Sequence, residues 1–294
     1  MHLHITSLNS GSNGNCYYIG NEQEAILVDA GISCRETERR MAKLGLSMSK
    51  VKAIFVSHEH SDHIKGIPVL AKKYQLPVYI TPHTLRRSRF EEINFPVEEF
   101  YAQQPVTIGN LEIIGFPKLH DAIDPYSFII SYQGTKVGVF TDIGAPCEQL
   151  IHYFSQCHAA ILEANYDEEM LANGYYPYHL KRRISGGKGH LSNRQALNLF
   201  TAYKPEYMSH LLLGHLSKNN NCPKLVDELF TKHAAGTKVV VASRYEETPV
   251  FRISSSDDIS IEPAMPYVHV LTEKAGSRPK KGKAVIPDNQ LQLF

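Results

Sequence analysis

The chain has almost no net charge, no closely spaced cysteine pair, no leader-like start and no long apolar run, and each absence excludes a class of protein. Lysine and arginine number 31 against 30 aspartates and glutamates, a formal charge of +1. A protein that coats nucleic acid by bulk electrostatics carries a large positive excess, so that class is excluded. The five cysteines, Cys16, Cys34, Cys147, Cys157 and Cys222, are odd in number and lack a C-x-x-C pair. Neither a disulfide framework nor a cysteine-built zinc knuckle fits them; reduced thiols do. No stretch approaches the roughly 18 apolar residues of a membrane span, and Met1 to Ser7 has neither a basic nor an apolar leader region. The expectation is a soluble, unexported, cytoplasmic protein. With 21% charged and 43% hydrophobic residues, the chain is also too apolar and too balanced for disorder, and its length suits one large domain with an appendage.

What the chain does have is histidine, 15 in 294 residues, the commonest metal ligand and the usual proton shuttle near neutral pH. Around the histidines the secondary-structure signals are regular. Leu3 to Leu8, Cys16 to Ile19, Ala25 to Val28 and Lys52 to Val56 read as strands, with Ser10-Gly-Ser-Asn-Gly-Asn15 as a glycine loop. Ser33 and Glu36 fit a capping box for a helix to about Leu44, closed by Gly45. A second helix is expected from about Asp62 to Tyr74. Val97 to Phe140 is strand-rich, with hairpin turns at Gly109-Asn110 and Gln133-Gly134. Strand and helix then alternate at 158–163, 192–202, 207–213, 222–232 and 237–242. Strand-rich halves interleaved with helices predict a layered α/β sandwich, helices outside two sheets, over residues 1–272. Residues 273–294 turn rich in Lys, Arg, Gly and Pro and read as a flexible basic tail.

One segment stands out. Ser57-His-Glu-His-Ser-Asp-His63 sets His58, His60, Asp62 and His63 within six residues, directly after an apolar strand. A strand running through a loop into a helix converges His58 and His60 on one metal and directs Asp62 and His63, on the next turn, to a second. A solvated polar loop would need no such density of ligands.

This segment resembles the signature of the metallo-β-lactamase superfamily, which implies a four-layer αββα fold with a dinuclear metal site at one edge. The resemblance implies three later ligands, and His120, Asp142 and His215 stand at expected strand ends. By that similarity His58, His60 and His120 hold one metal, Asp62, His63 and His215 the other, and Asp142 lies between them. Nitrogen and oxygen donors without thiolate suit Zn²⁺, and also Mn²⁺ or Fe²⁺. Two divalent ions imply a metal-bound hydroxide as nucleophile, and hydrolysis as the reaction class.

Secondary motifs narrow the substrate. Where lactamases and small thioesterases carry His-x-Pro-Gly-His-like motifs, this chain has His120-Asp-Ala-Ile-Asp-Pro125. Ile161-Leu-Glu-Ala-Asn165 and Gly189-His-Leu-Ser-Asn193 are similar to loops of tRNase Z-type phosphodiesterases, in which a Glu-oriented His protonates the leaving oxygen. The catalytic set so implied is Asp62, Glu163 and His190. The segment from Asn173 to His190 interleaves Tyr175, Tyr176 and Tyr178 with Lys181, Arg182, Arg183 and Lys188, with Arg194 just beyond. Cations for phosphates and rings for unstacked bases make a nucleic-acid surface, to which Asn13 of the glycine loop is added.

Together with Ser-Leu-x-Ser-Gly-Ser-x-Gly-Asn-Cys at 7–16 and Val-Asp-Ala-Gly-Ile-Ser at 28–33, these motifs resemble the YycJ/WalJ branch of the superfamily over roughly residues 1–250. The branch implies a bacterial nuclease with 5′-to-3′ exonuclease action on DNA and a link to repair. The competing readings are a tRNase Z-like RNA-processing or cyclic-nucleotide phosphodiesterase, and, in another class, a tethered nucleic-acid-binding module. The terminal Gln290-Leu-Gln-Leu-Phe294 is similar to the peptide with which bacterial repair proteins dock on the DNA polymerase sliding clamp, through Gln290, Leu291, Leu293 and Phe294.

Overall fold

The computed structural model describes residues 2–90 and 93–255, which lie within one compact unit, Met1–Asp257. The tail and its terminal peptide fall outside the described residues. Two seven-stranded sheets form the centre. The first contains β1 (His2–Asn9), β2 (Cys16–Gly20), β3 (Ala25–Val28), β4 (Val51–Phe55), β5 (Val78–Tyr79), β6 (Val97–Glu98) and the late β14 (Phe251–Ser254), in the order β14-β1-β2-β3-β4-β5-β6. The second contains β7 (Pro105–Ile108), β8 (Leu111–Pro117), β9 (Tyr126–Tyr132), β10 (Thr135–Phe140), β11 (Ala159–Glu163), β12 (His210–Gly214) and β13 (Lys238–Val241), in chain order across the sheet.

Each sheet is half antiparallel and half parallel. Strands β14 to β3 alternate in direction, and β3 to β6 run parallel; β7 to β10 alternate, and β10 to β13 run parallel. Antiparallel steps need only hairpins, as at Gly109 and at Gln133-Gly134, whose backbones take positive φ. Parallel steps need crossovers, and these supply the helices.

Three apolar layers make the sandwich four deep. Between the sheets lie Ile5, Ile19, Ile26, Val28, Phe55, Ile113, Phe128, Ile130, Val139 and Leu212. Alternate residues of the same strands, such as Ala25, Leu27 and Ile54, face Met41 of α1 (Cys34–Lys43) and Leu70 of α3 (Ile67–Tyr74). On the far side Phe140, Leu162 and Leu213 meet α5 (Glu148–Phe154), α8 (Asn193–Tyr203) and α9 (Pro223–Thr231). The period-2 alternation of the strands thus divides their side chains between two cores.

Three local expectations change. The helix expected from Asp62 to Tyr74 is two, α2 (Ser61–Ile64) and α3, because Gly66 passes so close to residues 30–32 that a Cβ would stand 1.9 Å from Ile32 O. Its N–H is spent on Ala30 O at 2.8 Å. At α1 only half of the capping box forms: Ser33 accepts from Glu36 N, while the Glu36 carboxylate turns to Arg39 and Arg40. The tyrosine-rich segment, which lies outside every expected strand and helix, contains a helix: after α4 (Pro82–Ser88) and α6 (Glu168–Asn173) come Pro177 as N-cap and α7 (Tyr178–Ser185).

Phe128, fully buried between the sheets, packs edge-on to Phe55 and Phe100 with ring centroids 5.7 and 5.4 Å apart. Phe128→Ala should cost about 3–5 kcal/mol through lost transfer energy and the cavity left behind; urea unfolding followed by circular dichroism measures it.

Candidate metal centre

The site forms where the carboxyl ends of strands from both sheets meet. Asp29 follows β3, the segment 57–63 follows β4, and from the second sheet come His120 after β8, Asp142 after β10, Glu163 at the end of β11 and His215 after β12. Asp29, Asp142 and His215 take φ of 60°, 56° and 55°, a left-handed conformation that costs roughly 1–3 kcal/mol at a non-glycine residue and gathers at functional sites.

The side chains converge in two triads, His58, His60 and His120, and Asp62, His63 and His215, each with donor atoms within 4.8 Å of one another. In the first, His58 Nε2 lies 3.0 Å and His120 Nε2 3.4 Å from His60 Nδ1. In the second, Asp62 Oδ2 lies 3.5 Å from His63 Nε2 and 3.4 Å from His215 Nε2. Asp142 touches both: Oδ2 is 3.2 Å from His63 Nε2, and Oδ1 is 3.5 Å from His215 Nε2 and 3.8 Å from His120 Nε2.

This donor set fits divalent cations. Four of the five rings are held by outer acceptors that fix the tautomer and point the other nitrogen inward. His63 Nδ1 donates to Asp29 Oδ2 (2.7 Å), His120 Nδ1 to Gly189 O (3.0 Å) and His215 Nδ1 to Glu163 Oε1 (3.0 Å). His58 Nδ1 donates to Ser57 Oγ, which itself donates to Asp29 Oδ2. The buried Asp142 Oδ2 has no hydrogen-bond partner despite its short approach to His63, and a cation would satisfy it together with the ring nitrogens that face it.

The electrostatics agree. Burial would raise Asp142, yet His215 and His63 hold its carboxyl well below the ordinary range. Against burial, Asp142, Asp62 and Glu163 raise His215 to about 10, and Asp142, Asp62 and Asp29 raise His63 as well. Burial lowers His58 and His60 and takes His120 to about 3, so these rings keep their lone pairs. The carboxylates therefore hold protons on two rings, and an incoming cation displaces them.

Glu163 and His190 also meet. Glu163 Oε1 accepts from His190 Nδ1 at 2.7 Å, and Oε2 accepts from Ile143 N (2.7 Å) and Leu191 N (3.2 Å). With both oxygens engaged, Glu163 serves as an anchor, and the partly exposed His190 presents Nε2 outward. Burial opposes it, but His190 and His215 bring the Glu163 carboxyl down to about 2. Asn165 Nδ2 donates to His215 O at 2.7 Å.

The tyrosine and basic side chains disperse around this centre. Tyr175 and Tyr178 are exposed, Arg182 lies 5.9 Å from the Tyr178 ring, and Lys188 is exposed between Gly187 and Gly189. Arg183 pairs with Asp121 at 2.5 Å, which draws α7 against the His120 loop. Arg194 pairs instead with Glu168, Lys181 donates to Ala172 O, and Tyr176 accepts from Asn219. Asn13 is exposed and donates to Arg244 O.

Three inner residues were not singled out from the sequence. Asp29 holds both Ser57 and His63. Asn15 donates to Asp62 Oδ2 at 3.1 Å and accepts from Gly11 N and Tyr17 OH. Lys118 is fully buried, donates to Thr141 O at 2.6 Å and is lowered by that burial against the pull of Asp142. A charged or amide side chain abutting one end of an apolar strand was the available signal in each case.

Fold and centre define a metal-dependent hydrolase of the metallo-β-lactamase type. Residues 24–215 match the family described as "Beta-lactamase superfamily domain", and the chain belongs to that family. It is 36% identical over 228 residues to exodeoxyribonuclease YycJ of Bacillus anthracis, covering 76% of this chain and 86% of that protein. It is 31% identical over 223 residues to exodeoxyribonuclease WalJ of Streptococcus pneumoniae, covering 74% and 83%. Among solved structures, the metallo-β-lactamase fold protein YhfI of Bacillus subtilis superposes with a TM-score of 0.67 at 17% identity, over 86% of this chain and 100% of that one.

Asp29→Asn keeps the shape and the tolerated backbone but removes the charge behind His63. Metal affinity should fall about 10–100-fold, measured by chelator competition, while thermal unfolding stays cooperative.

Proposed function

We propose that the chain is an exodeoxyribonuclease, a metal-dependent phosphodiesterase that degrades DNA from 5′ to 3′ ends in repair, in the cytoplasm. The relatives named exodeoxyribonuclease support the substrate. The observation that carries the chemistry is the 2.7 Å contact between His190 and Glu163 at the rim of the cluster. Phosphodiester hydrolysis must protonate a leaving alkoxide, and a carboxylate-backed, partly exposed imidazole is built for that.

In this reading His58, His60 and His120 hold one divalent ion, Asp62, His63 and His215 a second, and Asp142 both, with Zn²⁺ or Mn²⁺, or Fe²⁺, as occupants. When bound, the ions supply a hydroxide at neutral pH and charge stabilisation for the phosphoryl oxygens. Glu163 keeps the His190 proton on Nδ1, so that Nε2 delivers its own proton to the leaving oxygen when protonated. Asp29 and Ser57 prevent His63 and His58 from rotating. Asp62, backed by Asn15, fixes the second triad at the more open side. Tyr175, Tyr178, Arg182 and Lys188 receive bases and phosphates at the rim.

Among the described residues no helix is long and apolar enough to cross a membrane. We further propose that Gln290, Leu291, Leu293 and Phe294 dock on the DNA polymerase sliding clamp, tethering the nuclease to its substrate. Removing 290–294 should abolish clamp binding by surface plasmon resonance; unchanged affinity would remove this partner.

His60→Ala should abolish turnover of end-labelled DNA and lower metal content per chain. His190→Ala should reduce turnover about 10²–10⁴-fold with metal content unchanged. Full rate in His190→Ala would show that the proton comes from elsewhere, and a labelled RNA degraded in preference to DNA would overturn the substrate.

A further inference from the structure

A groove of about 1030 Å³ opens beside the metal centre, at Ser61 between His60 and Asp62, and runs away from it along α3. One bank is the α2–turn–α3 segment. Ser61 of α2, Lys65 in the turn after it, and Val69 and Lys72 of α3 stand four, four and three residues apart and all line the groove. Lys65, Val69 and Lys72 are all exposed, Val69 to 62%. The other bank is the turn after α4, where Arg89, in a left-handed conformation, and the half-buried Phe90 face the stripe.

Among the described residues of these banks, cations outnumber carboxylates. Among the described residues, Lys65, Lys72 and Arg89 have no carboxylate within ion-pair distance, whereas the adjacent Lys73 is paired with Glu38 at 2.6 Å. The described carboxylate on the wall, Glu59, sits at the mouth and is engaged by Ile123 N at 3.0 Å. Isolated cations alternating with the exposed Val69 and the half-buried Phe90 match a chain of phosphates carrying unstacked bases. From Ser61 to Lys72 eleven residues at near-helical rise span about 16 Å, the length of about five nucleotides at roughly 3.4 Å each.

We infer that this groove is the track for single-stranded DNA beside the centre, seating the nucleotides next to the scissile phosphate. The inference rests on the nuclease reading and extends it: the substrate approaches as a single strand along α3, and the cluster receives it at Ser61. The strand's phosphates face Lys65, Lys72 and Arg89, and its bases lie over Val69 and Phe90.

The test is fluorescence anisotropy of a labelled single-stranded thymidine 12-mer with full-length protein in chelator, from 50 to 300 mM salt. The triple variant Lys65→Ala, Lys72→Ala, Arg89→Ala should weaken binding at least tenfold at 100 mM salt. It should also lower the slope of log affinity against log salt by about 2, since each lost single-strand phosphate contact removes about 0.7. A control, Lys224→Ala on α9 with Lys232→Ala just after it, should keep the wild-type slope, and equal melting curves exclude misfolding. An unchanged slope in the triple variant, or no binding by wild type, overturns the track. A wild type that binds through the groove yet degrades no DNA when metal is added would sink the nuclease reading and leave the track standing.

Discussion

The Glu163 carboxylate is the junction on which the centre depends. Its four contacts, to His190, His215, Ile143 N and Leu191 N, join the end of β11 to the loops after β10 and β12 and to the segment before α8. A buried carboxylate of this kind is tolerable only when its oxygens are satisfied, and here all the donors come from parts of the site. Leu191 N and His190 arrive together because Ser192 and Gln195 close a full capping box at the start of α8. The His190 ring is thus located by the same rules that begin a helix.

Asp29 does the corresponding work in the first sheet, accepting from Ser57 N, Ser57 Oγ and His63. The two sheets share one plan, an antiparallel set followed by parallel strands, although the sequence carries no visible repeat. Asp29 at the end of β3 and Asp142 at the end of β10 mark the step from one regime to the other in each. Strand ends at such a change of direction leave a crevice that side chains from both neighbours can enter. Both aspartates adopt left-handed backbone there, a strain that the packed cores on either side are large enough to bear.

Much of this was legible in the residues because the determinants are local. Alternating apolar residues gave the strands, glycines gave the hairpins, and His58-x-His60-x-Asp62-His63 after an apolar strand announced its convergence. Glu163 and His190 were legible through their motifs, and they lie in contact. What the sequence hid was long-range. Nothing near Gly66 says that its Cβ position is taken by the chain at 30–32, so the break between α2 and α3 was missed. Asp29, Asn15 and Lys118 are single polar residues among apolar ones, and their meaning comes only from partners 28, 47 and 23 residues away. The α7 segment showed its charge but not its pairing, so Arg183 and Arg194 looked free when Asp121 and Glu168 offset them.

Charge balance ties these observations to function. Asp29, Asp62, Asp142 and Glu163 bring four negative charges into a space where, among the described residues, Lys118 is the one buried lysine, and all four act on it electrostatically. In the absence of cations the deficit is made good by protons on His63 and His215, which is why those two rings are raised while His58, His60 and His120 are lowered. With a protonated Lys118, one divalent ion would leave the cluster negative and repel a phosphodiester. Buried charges must be compensated, so four carboxylates against one lysine call for divalent cations at this cluster.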